Sequence, residues 1–153
     1  MSTFSPLNPH FEARVRDSFA RQRLMETIGA FITSVSPGEV EIELPFSEAL
    51  TQQNRYLHAG VITAIVDTAC GYAALSLMPE DSDVLTVEYK VNFVSPAKGE
   101  RMIARGRVKK PGRTLAVCSG DAFALIDGKE KLVATMLATM MSIRPALPGA
   151  TSL

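Results

Sequence analysis

The sequence has few of the residues that most directly indicate a metal centre, a disulfide scaffold or a nucleic-acid surface. Among 153 residues there are two cysteines, two histidines and no tryptophan. Two cysteines cannot form a disulfide framework, and no Cys-x-x-Cys or Cys/His cluster suggests zinc. Sixteen basic residues balance sixteen acidic ones, so the chain lacks the excess positive charge that neutralises nucleic-acid phosphates. We expect neither a metal nor a nucleic-acid partner.

The N-terminus lacks a basic region followed by an apolar run, so the sequence predicts no signal peptide. Together with the low cysteine content, this favours a soluble protein of the reducing cytoplasm. The length fits one domain, and 46% apolar against 21% charged residues allows a packed core. We predict a single domain with an N-terminal helix over residues 8–27, a core over 28–143 and a tail over 144–153.

One long apolar run covers residues 59–78 and contains a single charge, Asp67. Twenty such residues are long enough to span a bilayer. However, a carboxylate near the middle is costly in hydrocarbon, and no basic or aromatic flank follows the run. We therefore interpret it as a helix buried on nearly all sides in a globular fold, and we expect no membrane partner.

The order of elements follows from the hydrophobic periodicity. Asn8 and Pro9 are typical of a helix start, as N-cap and first helical residue, and this amphipathic helix should end before Gly29. After it we predict short strands over 30–35 and 39–44, a loop over 45–57 and the apolar helix. From residue 84 onward the period is two, which predicts strands over 84–94, 101–109, 114–126 and 132–143.

This order predicts an α+β fold with one antiparallel sheet and helices on one face. A flat sheet cannot bury a helix that is apolar all round, so the sheet should curl around it. The later strands are apolar on both faces in places, from 116 to 126 and from 132 to 143. We therefore expect a second subunit to cover part of the sheet or its edge.

Asp67 is the most informative residue of the apolar helix. A lone carboxylate in such surroundings is unfavourable unless it is hydrogen-bonded or open to a cleft. Burial raises the pKa of a carboxyl and makes it a better base near neutral pH. The alternative is a structural acid bonded to a neighbouring hydroxyl such as that of Thr63 or Thr68, or to a group from another element.

His58 stands immediately before the apolar helix, which begins with Ala59 and Gly60. The first backbone N–H groups of a helix are unpaired and carry the positive end of its dipole, so they can polarise a carbonyl. Nine residues separate His58 from Asp67, a rise of about 13 Å along a helix. If both act on one substrate atom, they must come from different subunits. For Cys70 and Cys118, buried packing is favoured over a nucleophilic role.

Two segments resemble a known family: Leu57-His58-Ala59-Gly60-Val61 and Asp67-Thr68-Ala69. They are similar to the signature of the hotdog-fold acyl-CoA thioesterases of the phenylacetate-degradation (PaaI-like) type. That signature reads His-Gly-Gly followed by an Asp on the same helix. Comparable stretches lie at 19–25, 50–53, 85–89 and 95–97, so the resemblance covers roughly residues 11–143.

The resemblance implies a hotdog fold, in which five or six antiparallel strands wrap a long central helix, here with an extra N-terminal helix. It implies a homodimer with a continuous sheet, often a dimer of dimers. The implied activity is hydrolysis of acyl-CoA thioesters. No cofactor is then needed, because coenzyme A enters only as part of the substrate.

The resemblance also implies roles for particular residues. The thioester carbonyl would accept a hydrogen bond from the backbone N–H of Ala59 or Gly60. The acid of the facing subunit, Asp67, would act as general base or nucleophile, assisted by the hydroxyl of Thr86. Gln52 would orient the water or the substrate. Ala59 replaces a glycine of the family pattern and Gln52 replaces an asparagine, a role that Gln53 or Asn54 could take instead.

The substrate contacts follow from the same resemblance. The acyl chain is expected against Val61, Ala64, Tyr72 and Phe93. A basic set is either a solvated strand face or a site for the phosphates of coenzyme A, with Lys110 and Arg113 the better candidates; its members are Arg101, Arg105, Arg107, Lys109, Lys110 and Arg113. Two other functions remain open: a hotdog acyl-thioester dehydratase or hydratase, and a non-catalytic acyl-CoA-binding protein.

Overall fold

The structure is a computed structural model and describes residues 4–144, so the predicted tail lies outside the described residues except for Arg144. Within this range the chain forms three α-helices and six β-strands. In chain order they are α1 Phe11–Ala20, α2 Arg23–Ile28, β1 Phe31–Ser36, β2 Glu39–Pro45, α3 Ala59–Leu75, β3 Asp83–Phe93, β4 Arg101–Lys110, β5 Leu115–Ile126 and β6 Lys129–Ile143. A single 3₁₀ turn, Glu48–Leu50, interrupts the loop before α3.

The prediction of one N-terminal helix over 8–27 is wrong in two respects. The side chain of Asn8 accepts a 2.8 Å hydrogen bond from the backbone N–H of His10, in a turn that precedes the helix, so α1 begins only at Phe11. The chain then breaks at Gln22, which is extended (φ −82°, ψ 98°), before α2 starts. The predicted end of the helical region is confirmed, since Gly29 closes α2 in the left-handed conformation with φ 80°.

The six strands form one antiparallel sheet in the order β1-β2-β4-β5-β6-β3. Helix α3 packs against β2, β3, β4, β5 and β6, and the chain passes through this helix from β2 to β3, at the far edge of the sheet. The side chains of α3 are buried almost continuously from Ile65 to Leu75 apart from Asp67. The predicted α+β arrangement, a curled sheet around a long central helix, is therefore confirmed.

Two paired glycines let α3 lie close to the sheet. Gly106 of β4 is directly opposite Gly120 of β5. A Cβ atom on Gly106 would overlap the backbone of Ala69, and a Cβ on Gly120 would lie 2.5 Å from Cγ1 of Val66. Because the helix occupies the space of both missing side chains, these positions fix its distance from the sheet.

Strand β2, predicted over 39–44, alternates between buried and more exposed side chains. Val40, Ile42 and Leu44 are buried against the core, and the glutamates between them point to the outer face. There they form ion pairs with the arginines of β4: Glu39–Arg107 at 3.5 Å, Glu41–Arg105 at 2.7 Å and Glu43–Arg101 at 3.2 Å. These three arginines thus belong to a solvated strand face, as one of the two sequence interpretations expected.

Strand β3 is the last strand of the sheet and is exposed along most of its length. Its apolar side chains include Leu85 at 53% and Val87 at 52% exposure. The period of two predicted for this strand is interrupted, because the register with β6 shifts between Thr86 and Glu88 and Val87 lies in the resulting bulge. Within residues 4–144 no strand pairs with the outer edge of β3.

Candidate active site

The start of α3 is held by its own N-cap residue. Nδ1 of His58 accepts a 2.8 Å hydrogen bond from the N–H of Gly60, and the carbonyl oxygen of His58 accepts from Val61 and Ile62. No acceptor among residues 4–144 engages the N–H of Ala59. Of the two predicted oxyanion donors, the N–H of Gly60 is therefore occupied by a side chain, and that of Ala59 has no partner in the described part of the chain.

The loop before α3 is fixed by backbone hydrogen bonds at both ends. Thr51 and Leu57 form an isolated bridge, the N–H of Leu57 donates to the carbonyl oxygen of Ala97 at 2.9 Å, and the N–H of His58 donates to that of Leu50 at 2.9 Å. Inside this loop the side-chain oxygen of Gln52 accepts a hydrogen bond from the N–H of Asn54. The amide nitrogen of Gln52 stays available for other contacts.

A cavity of about 600 Å³ opens beside the start of α3. Five of the predicted site residues line it together: Gln52, Gln53, His58, Ala59 and Phe93. Ile62, Ser95 and Val133, which the sequence did not single out, also form part of its wall, whereas Asn54 does not. We call it the helix-start cavity. It places polar amides and an unengaged backbone N–H around one mostly apolar space.

Asp67 lies more than two turns further along α3 and is half-buried. The hydroxyl of Thr86 on β3 donates a 2.8 Å hydrogen bond to its Oδ1. Burial raises the pKa of the Asp67 carboxyl, and the hydrogen bond from Thr86 partly opposes that rise. The two local hydroxyls bond elsewhere: Thr63 donates to the carbonyl oxygen of Ala59 and Thr68 to Gln22. The residue that the family resemblance indicated, Thr86, is the one that contacts the acid.

Two cavities flank Asp67. One, of about 340 Å³, is more polar and includes Ser18, Arg21, Tyr72 and Thr86. The other, of about 510 Å³, includes Gly60, Ala64, Tyr89 and Val91. Gln22 and Thr68 line both. The predicted acyl-pocket residues Ala64 and Tyr72 thus lie beside Asp67. Val61 is partly buried against the core, as Ala64 is, but it does not line either of these two cavities.

Sequence reasoning missed Gln22 as a site residue. A weak signal exists, because Phe11, Val15 and Phe19 recur every four residues and predict an apolar residue near 22 or 23. The chain has Gln22 and Arg23 there. An interruption of the apolar stripe at this point is consistent with the observed helix break.

One chain does not assemble all the predicted residues. His58 lines the helix-start cavity and Asp67 lines the two cavities further along α3. Arg113 lines a fourth, mostly apolar cavity of about 350 Å³ with Leu77 and Met78, beyond the C-terminal end of α3. That end is roughly 25 Å from the start of the helix. Lys110 is exposed at the end of β4.

Both cysteines are free and buried. Burial raises the pKa of the Cys70 thiol above its ordinary range and that of Cys118 to about 12, so neither has the thiolate character of a nucleophile. Across residues 4–144 no His, Cys, Asp and Glu side chains form a cluster that could hold a metal ion. In the same range, no helix has the length and apolarity needed to cross a membrane.

The chain is similar in sequence to known proteins. Residues 54–131 match the model of the family described as Thioesterase superfamily. A putative esterase of Saccharolobus solfataricus is 30% identical over 132 residues, covering 86% of this chain and 85% of that protein. Human acyl-coenzyme A thioesterase 13 is 31% identical over 99 residues, covering 64% and 70%.

Two solved structures of thioesterases are also similar to this chain. A thioesterase family protein of Silicibacter pomeroyi is 53% identical, with a TM-score of 0.87 and coverage of 88% of this chain and 99% of that one. A thioesterase of Staphylococcus aureus is 26% identical, with a TM-score of 0.74 and coverage of 81% and 100%.

Proposed function

The chain belongs to the thioesterase superfamily and is a hotdog-fold thioester hydrolase, and from this premise we propose that it is of the PaaI-like type and hydrolyses acyl-CoA thioesters with Asp67 as general base or nucleophile. The observation that carries the proposal is the setting of Asp67 on α3. It is a half-buried carboxyl with a raised pKa, held by Thr86 and open to two cavities. Such a group is suited to accept a proton near neutral pH.

The oxyanion would form at the start of α3. The N–H of Ala59 is the donor that no described residue engages, and it lies at the positive end of the helix dipole. Nδ1 of His58, by accepting from Gly60, fixes the first turn and so fixes the direction of the Ala59 N–H. The role of His58 in this mechanism is therefore to orient the donor.

The hydrolysis then needs no cofactor. The carboxylate of Asp67 removes a proton from a water molecule, and the water oxygen attacks the thioester carbon. Negative charge develops on the carbonyl oxygen, which accepts the hydrogen bond from Ala59. The tetrahedral intermediate collapses with cleavage of the carbon–sulfur bond, and the thiolate of coenzyme A leaves and takes up a proton. If Asp67 instead attacks the carbon itself, the carbon–sulfur bond breaks, the thiolate of coenzyme A leaves and takes up a proton, and a mixed anhydride forms. Water then hydrolyses this anhydride to the free acid and the carboxyl group of Asp67.

The proposed site joins two subunits. His58 and Asp67 of one chain line different cavities, and nine helical residues separate them by about 13 Å. The exposed apolar edge strand β3 supports pairing with a second copy. In a homodimer joined along β3, Asp67 of one protomer would meet the helix-start cavity of its partner. A dimer of dimers is part of the same proposal.

Gln52 is proposed to orient the water or the carbonyl. It lines the helix-start cavity together with Gln53. Two structures of the Staphylococcus aureus protein carry alanine in place of a glutamine and of a glutamate that are fifteen residues apart. Gln52 and Asp67 have the same separation here, which supports assigning them to one site.

The proposed substrate contacts extend to both ends of the acyl-CoA. The acyl group would lie against Ala64, Tyr72 and Phe93. Lys110 and Arg113 form no ion pair within residues 4–144, in contrast to the arginines paired on the outer face of β4, and are the proposed contacts for the phosphates. Coenzyme A esters and two free cysteines fit a cytoplasmic protein.

The test is release of free thiol from a panel of short, long and aryl acyl-CoA thioesters. We expect turnover with some members of the panel and loss of most of it in Asp67→Asn. The matched control is Asp17→Asn, which alters an exposed carboxylate on α1 and should leave the rate unchanged.

Other outcomes would contradict the proposal. Undiminished hydrolysis by Asp67→Asn would exclude the assigned role. Hydration of an enoyl-CoA without thiol release would indicate a dehydratase or hydratase. Tight acyl-CoA binding with neither reaction would indicate a non-catalytic binding protein.

A further inference from the structure

The break between α1 and α2 brings Gln22 to the central helix. Gln22 has extended backbone angles between the two helices, and its side chain is half-buried. Its Oε1 accepts a 3.3 Å hydrogen bond from the hydroxyl of Thr68, the residue that follows Asp67. A continuous helix over residues 8–27 would not have this turn, so the interruption gives the side chain its direction.

The position of Gln22 relative to Asp67 is defined by the cavities. Gln22, Asp67 and Thr68 line both of the cavities that flank the acid. Because Oε1 is held by Thr68, the amide nitrogen of Gln22 is the part of the side chain left for these spaces. Among residues 4–144 this nitrogen has no hydrogen bond, and it is not buried, since no buried side-chain nitrogen in that range lacks a partner. The two N–H donors of this amide are therefore unused, and they belong to a side chain that lines the space next to the candidate base.

We propose that Gln22 is a further residue of the site, and that its amide N–H donates a hydrogen bond to the water molecule that Asp67 deprotonates. This inference rests on the proposed function. A water molecule has two hydrogens and two lone pairs. With one hydrogen donated to Asp67 and one lone pair engaged by Gln22, the second lone pair points in a fixed direction for attack on the thioester carbon. Thr68 acts as a positioning residue, because its hydroxyl orients the amide.

The first test is Gln22→Ala, measured as kcat and KM for thiol release. We expect kcat to fall by roughly 10- to 100-fold, as for other losses of orientation at a reacting centre, with KM unchanged. The matched control is Arg23→Ala, in the same turn, with a side chain that is 88% exposed and outside both cavities; it should retain wild-type kcat. Thermal unfolding of each variant shows whether the fold is retained.

The second test uses the nearly isosteric Gln22→Glu. A second carboxylate in these cavities disfavours ionisation of Asp67, so the acidic limb of the profile of kcat/KM against pH should move to higher pH. Other titratable or charged groups of the two cavities are Arg21 from the helix break, Tyr72 of α3, and Asp83 and Tyr89 of β3. They are unchanged in this variant, so a shift reports on the new carboxylate.

Thr68→Val removes the hydroxyl that holds Oε1 and should lower kcat less than Gln22→Ala does. No change in this variant would overturn the positioning role of Thr68. An increase in KM at unchanged kcat in Gln22→Ala would assign Gln22 to substrate binding and overturn the proposal, as would wild-type values of both constants. Asp67→Asn is measured in parallel: if it keeps full turnover, the proposed function itself fails, whatever the behaviour of Gln22.

Discussion

Thr86 and Asp67 are joined across the gap between the edge strand and the central helix. The Thr86 hydroxyl on β3 donates a 2.8 Å hydrogen bond to Oδ1 of Asp67 on α3. Burial raises the pKa of the carboxyl and this hydrogen bond lowers it. The proton affinity of the candidate base is therefore set by two opposing effects, one of which a single substitution can remove.

Thr86→Val should raise the pKa of Asp67 further, because it removes the hydrogen bond that favours the carboxylate. The proposed mechanism requires the carboxylate, so the acidic limb of kcat/KM against pH should move to higher pH. The profile is measured with one acyl-CoA substrate, and Thr135→Val, on the exposed outer face of β6, is the control. A limb that moves to lower pH would contradict the stabilising role of Thr86.

Asp67 should reduce the stability of the folded protein at neutral pH. Its pKa is higher in the folded than in the unfolded chain, so the folded state binds the extra proton. The stabilisation that this extra proton gives the folded state is fully present below the pKa that Asp67 has in the unfolded chain. It is lost as the pH rises through the pKa of Asp67 in the folded state. We expect Asp67→Asn to raise the free energy of unfolding at pH ~7 but not below pH ~4, measured by denaturant titration. Lower stability of the variant at neutral pH would show that the carboxylate is favourably placed.

The edge of β3 should control both assembly and activity. Val87→Lys adds a charge at an exposed apolar position of the edge strand, and charges at such positions oppose strand pairing. We expect the sedimentation mass to fall to that of a monomer and thiol release to be lost with it. Ile126→Lys, on β5 at the hairpin, is the matched control. A fully active monomer would refute the two-subunit site.

Gly106→Ala should destabilise the fold. The added methyl group would overlap the backbone of Ala69. Such overpacking typically lowers the free energy of unfolding by about 1–3 kcal/mol. Gly71→Ala is the matched control, because a Cβ there has nothing within 4 Å and alanine is the better helix former. Denaturant titration should give a lower free energy of unfolding for Gly106→Ala and no decrease for Gly71→Ala.

Both thiols should be inert in the folded protein. Cys70 and Cys118 are buried and their pKa values are raised, so a disulfide reagent should modify neither until denaturant is added, and then both. The same result would keep the thiol-release assay free of background. Rapid modification of the native protein would show that the core opens readily.

The sequence alone determined most elements of the fold. The alternation of Val40, Ile42 and Leu44 with glutamates marked the buried and solvated faces of β2, because strand faces follow a period of two. The dipeptide Asp127-Gly128 is typical of a tight hairpin turn, and both residues have positive φ there, 49° and 72°. The family resemblance pointed to Thr86 beside Asp67, nineteen residues away, which periodicity could not have done.

Only the tertiary structure decided the details that shape the site. The helix break at Gln22 accompanies a contact with Thr68, 46 residues away, and the bulge at Val87 arises in pairing with β6. The N–H of Gly60 is bonded to His58, whereas no residue of the described range accepts from the N–H of Ala59, and this difference depends on a side-chain rotamer. The local sequence pattern determines which face of a helix or strand is apolar. Contacts between residues far apart in the sequence are determined only when the helices and strands pack against each other.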